Sequence, residues 1–174
     1  YEVARRALEE GASIINDIWG LKMEPRLAQL AGDKKAALIL MHNQKGTEYS
    51  NLIGDMKASL DWSIKKAREL GVTEDRIIID PGIGFGKSFE HNLEIMRRLD
   101  EFQVFNKPVL LGTSRKSFIG LVLDLPSDQR LEGTAATVAL GIAKGADIVR
   151  VHDVKAMIRV CRMADAIVKG FKKG

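Results

Sequence analysis

The sequence predicts an α/β protein of the (β/α)8 TIM-barrel type, with parallel strands 4–8 of the barrel in this chain. Three observations predict it. First, five short runs (13–18, 37–41, 76–79, 108–111 and 147–151) are rich in Ile, Val and Leu and nearly continuous rather than alternating. Such runs suit parallel strands covered on both faces. Second, segments of helical spacing lie between them, and the strand–helix alternation implies right-handed crossovers. Third, every strand run ends in polar residues: Asn16-Asp17, His42-Asn43, Asp80, Thr113-Ser114-Arg115-Lys116, and Arg150-Val151-His152-Asp153. In parallel α/β proteins the ligand site lies at the carboxyl ends of the strands. Five polar strand ends suggest a ring of loops around one pocket, so a barrel is favoured over an open doubly wound sheet.

The helices follow in order. The first residues, Tyr1-Glu2-Val3-Ala4-Arg5-Arg6, read as the middle of a helix, with neither an initiator methionine nor a signal-peptide layout. Residues 55–70 carry Met56, Leu60, Ile64, Ala67 and Leu70 on one face, with Gly71 as the C-cap. Residues 89–102 and 131–144 read similarly, and 153–170 form a final helix. Gly-Ala-Ser (11–13) and Gly-Ala-Asp (145–147) are short turns leading into strands. No linker interrupts the pattern, so residues 1–174 are read as a single domain. A full barrel takes roughly 250 residues, leaving about 80–100 for three further units. The chain is therefore expected to be N-terminally incomplete.

Composition narrows the classes of function. The 174 residues are 45% hydrophobic and 29% charged, ordinary for a folded globular protein. The net charge of +4 suits an anionic small-molecule partner. Lys and Arg are scattered, which argues against nucleic acid. No apolar run approaches the ~20 residues of a membrane span. The lone Cys161 rules out an internal disulfide and gives no sign of secretion; a cytoplasmic location is expected. It shares a helical stripe with Val154, Ile158, Ala164, Val168 and Phe171, and is read as a core residue rather than a reactive thiol.

The most informative stretch is Asp80-Pro81-Gly82-Ile83-Gly84-Phe85-Gly86-Lys87. A carboxylate ending an Ile-rich strand can accept two N–H donors from a guanidine-like heterocycle edge. The glycines let backbone approach a flat ligand. Two phosphate-loop readings fail by counting. A Walker loop would need Gly at Pro81, and a dinucleotide fingerprint would need Gly at Lys87. A plain glycine-rich turn is the alternative. After the fourth strand, Gly112-Thr113-Ser114-Arg115-Lys116-Ser117 places two cations at a helix start. The macrodipole disfavours them there, so an anion or ligand acceptors are expected; a solvated charge pair is the alternative. Arg150 and His152 are two apart on a strand, hence on one face, and suit phosphate or pyrophosphate; an ion pair to a neighbouring loop is the alternative.

Asn16 could serve the ligand and Asp17 the scaffold. Met41 fits either a flat ring or the core, His42 reads as structural, and His91 as a cap neighbour. No cluster has the spacing of a self-contained metal site, and no nucleophile–base pair stands out.

Together, Ile14–Ile18, Met41-His42, DPGIGFGK (80–87), GTSRKSFIG (112–120), EGTAAT (132–137) and RVHD (150–153) resemble dihydropteroate synthase, a family of pterin-binding enzymes. The likeness covers nearly the whole chain. The SRK and RVH segments, in this order behind DPG, are its specific part. It implies a folate-pathway transferase joining 6-hydroxymethyl-7,8-dihydropterin pyrophosphate to para-aminobenzoate, with release of pyrophosphate. Position by position, it implies a pterin site of Asn16, Ile18, Ile39, Met41, Asp80, Gly84, Gly112 and Lys116. It implies a pyrophosphate clamp of Arg150 and His152, and an aminobenzoate pocket of Phe85, Lys116 and Ser117, where sulfonamide drugs would act. Asp80, Lys116, Arg150 and His152 would carry the catalysis. The family uses Mg²⁺, but its metal ligand matches no position here. A homodimer is implied, and the chain alone is expected to be inactive. A pterin-binding methyltransferase barrel and an inactive pterin-binding fragment are the alternatives.

Overall fold

The computed structural model describes residues 1–171. Strand β1 is Ile14–Asp17, β2 Ala37–Met41, β3 Ile77–Asp80, β4 Leu110–Leu111 and β5 Ile148–Val149. All neighbours are parallel. β1, β2 and β3 form one ladder, with Asn16 opposite Ile39 and Met41 opposite Asp80. β4 and β5 form another. A single bridge from Ile79 to Val109 joins the two ladders, so the spatial order follows the chain. β4 and β5 are shorter than their apolar runs. The Gly112 and Arg150 ends leave the ladder to enter the loops.

Among the described residues seven α-helices accompany the strands: α1 Glu2–Glu9, α2 Arg26–Asp33, α3 Leu52–Glu69, α4 Phe89–Arg97, α5 Ser117–Leu123, α6 Leu131–Ala143 and α7 Val154–Lys169. α3 begins where the Asn51 side chain accepts from the Gly54 N–H, satisfying one orphan donor of the first turn. Its last residue is Glu69 and its C-cap is Leu70, one residue before the expected cap, Gly71, which follows at φ +95°. α4 opens with a capping box in which His91 is the reciprocal partner of Ser88. The expected helix over 89–102 stops at Arg97 and tightens into a 3-10 segment, Leu99–Phe105. α2 has no counterpart in the sequence reading. It is two turns long and begins at Pro25 with no side-chain cap, so it carries few start signals.

The two strand faces divide the core. Outward residues Ile15, Leu38, Leu40, Ile77, Ile79, Val109 and Leu111 join the helices in the largest apolar cluster. Inward residues Ile39, Ile78 and Leu110 form a small separate cluster with Ala37. On β1 the inward pair, Ile14 and Asn16, is exposed while Ile15 and Asp17 are buried. The inner face is thus covered at β2, β3 and β4 and open at β1 and β5. Cys161 is half-buried against the α6–α7 cluster. Its predicted stripe is largely outside: of those residues only Ala164 is buried, while Val154, Ile158, Val168 and Phe171 are exposed. No helix among the described residues is long and apolar enough to cross a membrane.

Candidate functional site

Asp80 ends β3 on the inward face and is almost wholly buried. One carboxylate oxygen accepts the Gly82 N–H at 2.7 Å, inside the turn that starts the glycine-rich loop. The other lies 3.3 Å from the Arg150 guanidinium. Burial pushes the Asp80 pKa up, against the pull of the Gly82 N–H and of Arg150, Lys116 and Lys87. Asn16, across the inner face, accepts from the same guanidinium at 2.6 Å. The two expected heterocycle ligands are therefore bridged by the expected pyrophosphate ligand. Asp17 serves the scaffold, accepting the Trp19 and Leu21 N–H groups at 3.0 and 2.6 Å.

The glycine-rich loop packs back on the end of β2. A Cβ on Gly82, whose φ is +70°, would collide with the His42 carbonyl and stand 3.2 Å from Met41 Cγ. Met41 is consequently covered by the turn, with 1% of its surface accessible, and here it packs as core. Lys87 reaches under the loop. Its Nζ donates to the Phe85 carbonyl at 2.8 Å and lies 3.0 Å from His42 Nδ1. Burial pulls Lys87 down to about 7. Burial and the neighbouring Lys87 and Lys22 pull His42 down to about 3. The imidazole is thus neutral and structural. Tyr49 adds a second tie, its hydroxyl donating to the Gly86 carbonyl at 2.7 Å.

Lys116 crosses from the next loop. Its ammonium donates to the Ile83 carbonyl and sits 4.5 Å above the Phe85 ring centre. Its stem runs beside Gly84, where a Cβ would stand 3.0 Å from Lys116 Cδ. Burial lowers its pKa to about 8, with Asp80 holding it up and Arg150 pushing it down. Ser117, next to it, is exposed at the first position of α5. Arg115 differs from its expected role. It forms a two-pronged pair with Asp153, at 3.0 and 2.6 Å, so its charge is met within the protein rather than by a ligand anion. No spacing rule links positions 38 apart, which is why the sequence alone did not pair them.

Ser114 belongs to the polar end of the fourth strand in the sequence, but its role there comes from the structure. Its hydroxyl lies 2.9 Å from His152 Nδ1 and accepts the His152 N–H at 3.1 Å, fixing that ring at the end of β5. Gly112, Ser114, Lys116, Arg150, Val151 and His152 line a hollow of about 300 Å³. Ile18 stands exposed just past β1, and Ile39 is buried beneath the inward face. A second hollow, at the start of α7, is lined by His152, Asp153, Lys155 and Arg159.

Among the described residues no three His, Cys, Asp or Glu side chains come together to hold a metal. The carboxylate of the pocket is already engaged by Gly82 and Arg150.

A parallel α/β chain with a buried aspartate and a cationic pocket at its strand ends matches one family model, that of the pterin binding enzymes, over residues 1–152. The chain belongs to that family. It is similar to proteins named dihydropteroate synthase. That of Bacillus subtilis is 53% identical over 95% of this chain and 58% of its own length. That of Clostridium beijerinckii is 49% identical over 97% of this chain and 63% of its own. Among solved structures, the dihydropteroate synthase of Clostridium difficile, determined in the presence of pteroic acid, superposes with a TM-score of 0.94 at 47% identity. That match covers 95% of this chain and 64% of the other. The chain thus spans about three-fifths of the length of the curated relatives it matches.

Proposed function

We propose that this chain forms the pterin and pyrophosphate side of a dihydropteroate synthase. The observation that carries it is the meeting of Asp80, Asn16, Lys116, Arg150 and His152 at the ends of strands far apart in sequence. In this reading residues 1–174 are one domain holding strands 4–8 of an eight-stranded barrel. Asp80 and Asn16 accept the N–H donors of the pterin edge. Ile18, Ile39, Met41, Gly84, Gly112 and Lys116 flank the ring. Arg150 and His152 neutralise the pyrophosphate. Phe85, Ser117 and the stem of Lys116 hold the arylamine.

The chemistry asks these residues for placement and charge. The arylamine nitrogen forms a bond to the pterin methylene carbon while the C–O bond to pyrophosphate breaks. The electron pair of that bond leaves with pyrophosphate, toward Arg150 and His152. The amine proton then passes to solvent or to the departing anion. The attacking amine is neutral near pH 7, so no strong base is required. Magnesium belongs to this reading as a group held by residues outside this chain, and no step is assigned to it here. A homodimer and a cytoplasmic location complete the proposal.

Pterin binding tests it directly. Titration of 6-hydroxymethylpterin, followed by its fluorescence, should show binding that Asp80→Asn abolishes. Unchanged affinity in that variant would sink the assignment. Binding of pyrophosphate by calorimetry separates a synthase from a pterin-dependent methyltransferase, which has no pyrophosphate to hold.

A further inference from the structure

Arg150 stands where a ligand should. Its guanidinium donates through Nη1 to Asn16 Oδ1 at 2.6 Å and through Nη2 to Asp80 Oδ2 at 3.3 Å. The remaining Asp80 oxygen is taken by the Gly82 N–H. A guanidinium presents a planar fork of N–H donors. The 2-amino-pyrimidinone edge of a pterin presents a similar fork. The same two acceptors cannot serve both forks at once.

The neighbourhood supports the contact from below. Gly112 leaves room for the guanidinium, since a Cβ there would stand 2.9 Å from Nη2. It also offers somewhere to go. The same arginine lines a hollow of about 300 Å³ together with Ser114, Lys116 and His152. His152 is two residues further along and is already fixed by Ser114.

We infer that Arg150 is the pocket's own occupant when it is empty, and that an anion bound beside His152 draws it off Asn16 and Asp80, so that anion and heterocycle bind cooperatively. This rests on the reading of the pocket proposed above. The sign follows from the pairing. A heterocycle entering alone must strip Arg150 of two acceptors and hand the half-exposed cation back to water. An anion supplies new acceptors, and the displaced carboxylate and amide then receive the heterocycle's donors. Neither ligand need touch the other. The coupling is reciprocal, so the heterocycle raises the anion's affinity by the same factor.

The test is a fluorescence titration of 6-hydroxymethylpterin into the chain at constant ionic strength, with and without saturating inorganic pyrophosphate. Wild type should bind the pterin roughly five-fold or more tightly when pyrophosphate is present. Arg150→Met keeps the length but removes the fork. It should bind pterin without anion about as tightly as wild type binds with it, and pyrophosphate should no longer matter. Circular dichroism melts establish that the variant is folded. If pyrophosphate leaves wild-type pterin affinity unchanged, or if Arg150→Met binds pterin more weakly than anion-free wild type, the inference is wrong. An Asp80→Asn control separates the two levels. If Asp80→Asn loses pterin while pyrophosphate has no effect on wild type, the seat stands and the coupling falls. If no form binds pterin, or Asp80→Asn binds it unchanged, both fall.

Discussion

Lys87 Nζ and His42 Nδ1 lie 3.0 Å apart in a buried contact that ties the glycine-rich loop to the end of β2. The two residues are 45 positions apart, and each is pushed toward its neutral form. The pair gives the fold a predictable pH response. Lys87 falls from 10.5 to about 7 on folding, so between those values the unfolded chain holds the extra proton. Stability therefore rises with pH across that window. His42 falls from 6.5 to about 3, so stability is lost again as pH drops below 6.5. Urea midpoints measured from pH 7 to 9 should increase in wild type and increase much less in Lys87→Met, where only Lys116, lowered to about 8, still contributes near the top of the range. A flat wild-type profile would show that the ammonium is not held in this environment.

Two glycines predict losses of different size. Gly82 has φ +70°, and an added Cβ would meet the rigid His42 carbonyl. Gly82→Ala should cost about 2–3 kcal/mol, since neither backbone can yield without breaking the Asp80 turn. Gly120 lies within α5, and its added Cβ would meet the guanidinium end of Arg130, a flexible side chain. Arg130 holds the carbonyls of Arg115 and Leu125, so displacing it loses those bonds. Gly120→Ala should cost only about 1 kcal/mol. Thermal melts compare them; equal losses would contradict the distinction.

Lys116 makes anion binding pH-dependent. Its pKa is lowered to about 8, and its ammonium lines the hollow with Arg150 and His152. As pH rises through and above that value the cation is lost, so pyrophosphate affinity should fall. The effect should vanish in Lys116→Met. Calorimetric titrations at pH 7 and 9 would decide it. A wild-type affinity that is the same at both values would exclude Lys116 from the anion's surroundings.

The α7 surface predicts association. Val154, Ile158, Met163, Ile167 and Val168 are all exposed there, and apolar surface of this kind favours burial against a partner. The apparent mass by light scattering should rise with concentration, and Ile167→Glu should suppress the rise. A concentration-independent monomer would count against it. The pyrophosphate-release assay on the same material should show negligible turnover; robust turnover would overturn the expectation that this chain alone is inactive.

Much of the frame was legible in the residues. Four of the five strands fell within their apolar runs and β3 ran one residue past its own, to Asp80, because parallel strands covered on both faces leave a near-continuous hydrophobic signal. α3, α6 and α7 were legible from their apolar spacing. α2 was not, because it is only two turns long and begins at a proline with no side-chain cap, so its start signals are weak. The α7 stripe misled because periodicity says which residues share a face, not whether anything covers that face.

The sequence by itself determined the chemistry at the strand ends: a carboxylate after β3, cations after β4, and Arg150 and His152 after β5, although β5 stops at Val149 and the strand expected to carry that pair is not formed there. Only the tertiary structure decided who holds whom. Arg115 belongs to Asp153, Ser114 fixes His152, Lys87 ties down the loop beside His42, and Arg150 bridges Asn16 and Asp80. These partners lie 38 to 134 residues apart, beyond any local pattern. They meet because parallel crossovers bring successive strand ends to one side of the sheet. There burial makes each polar group find a partner.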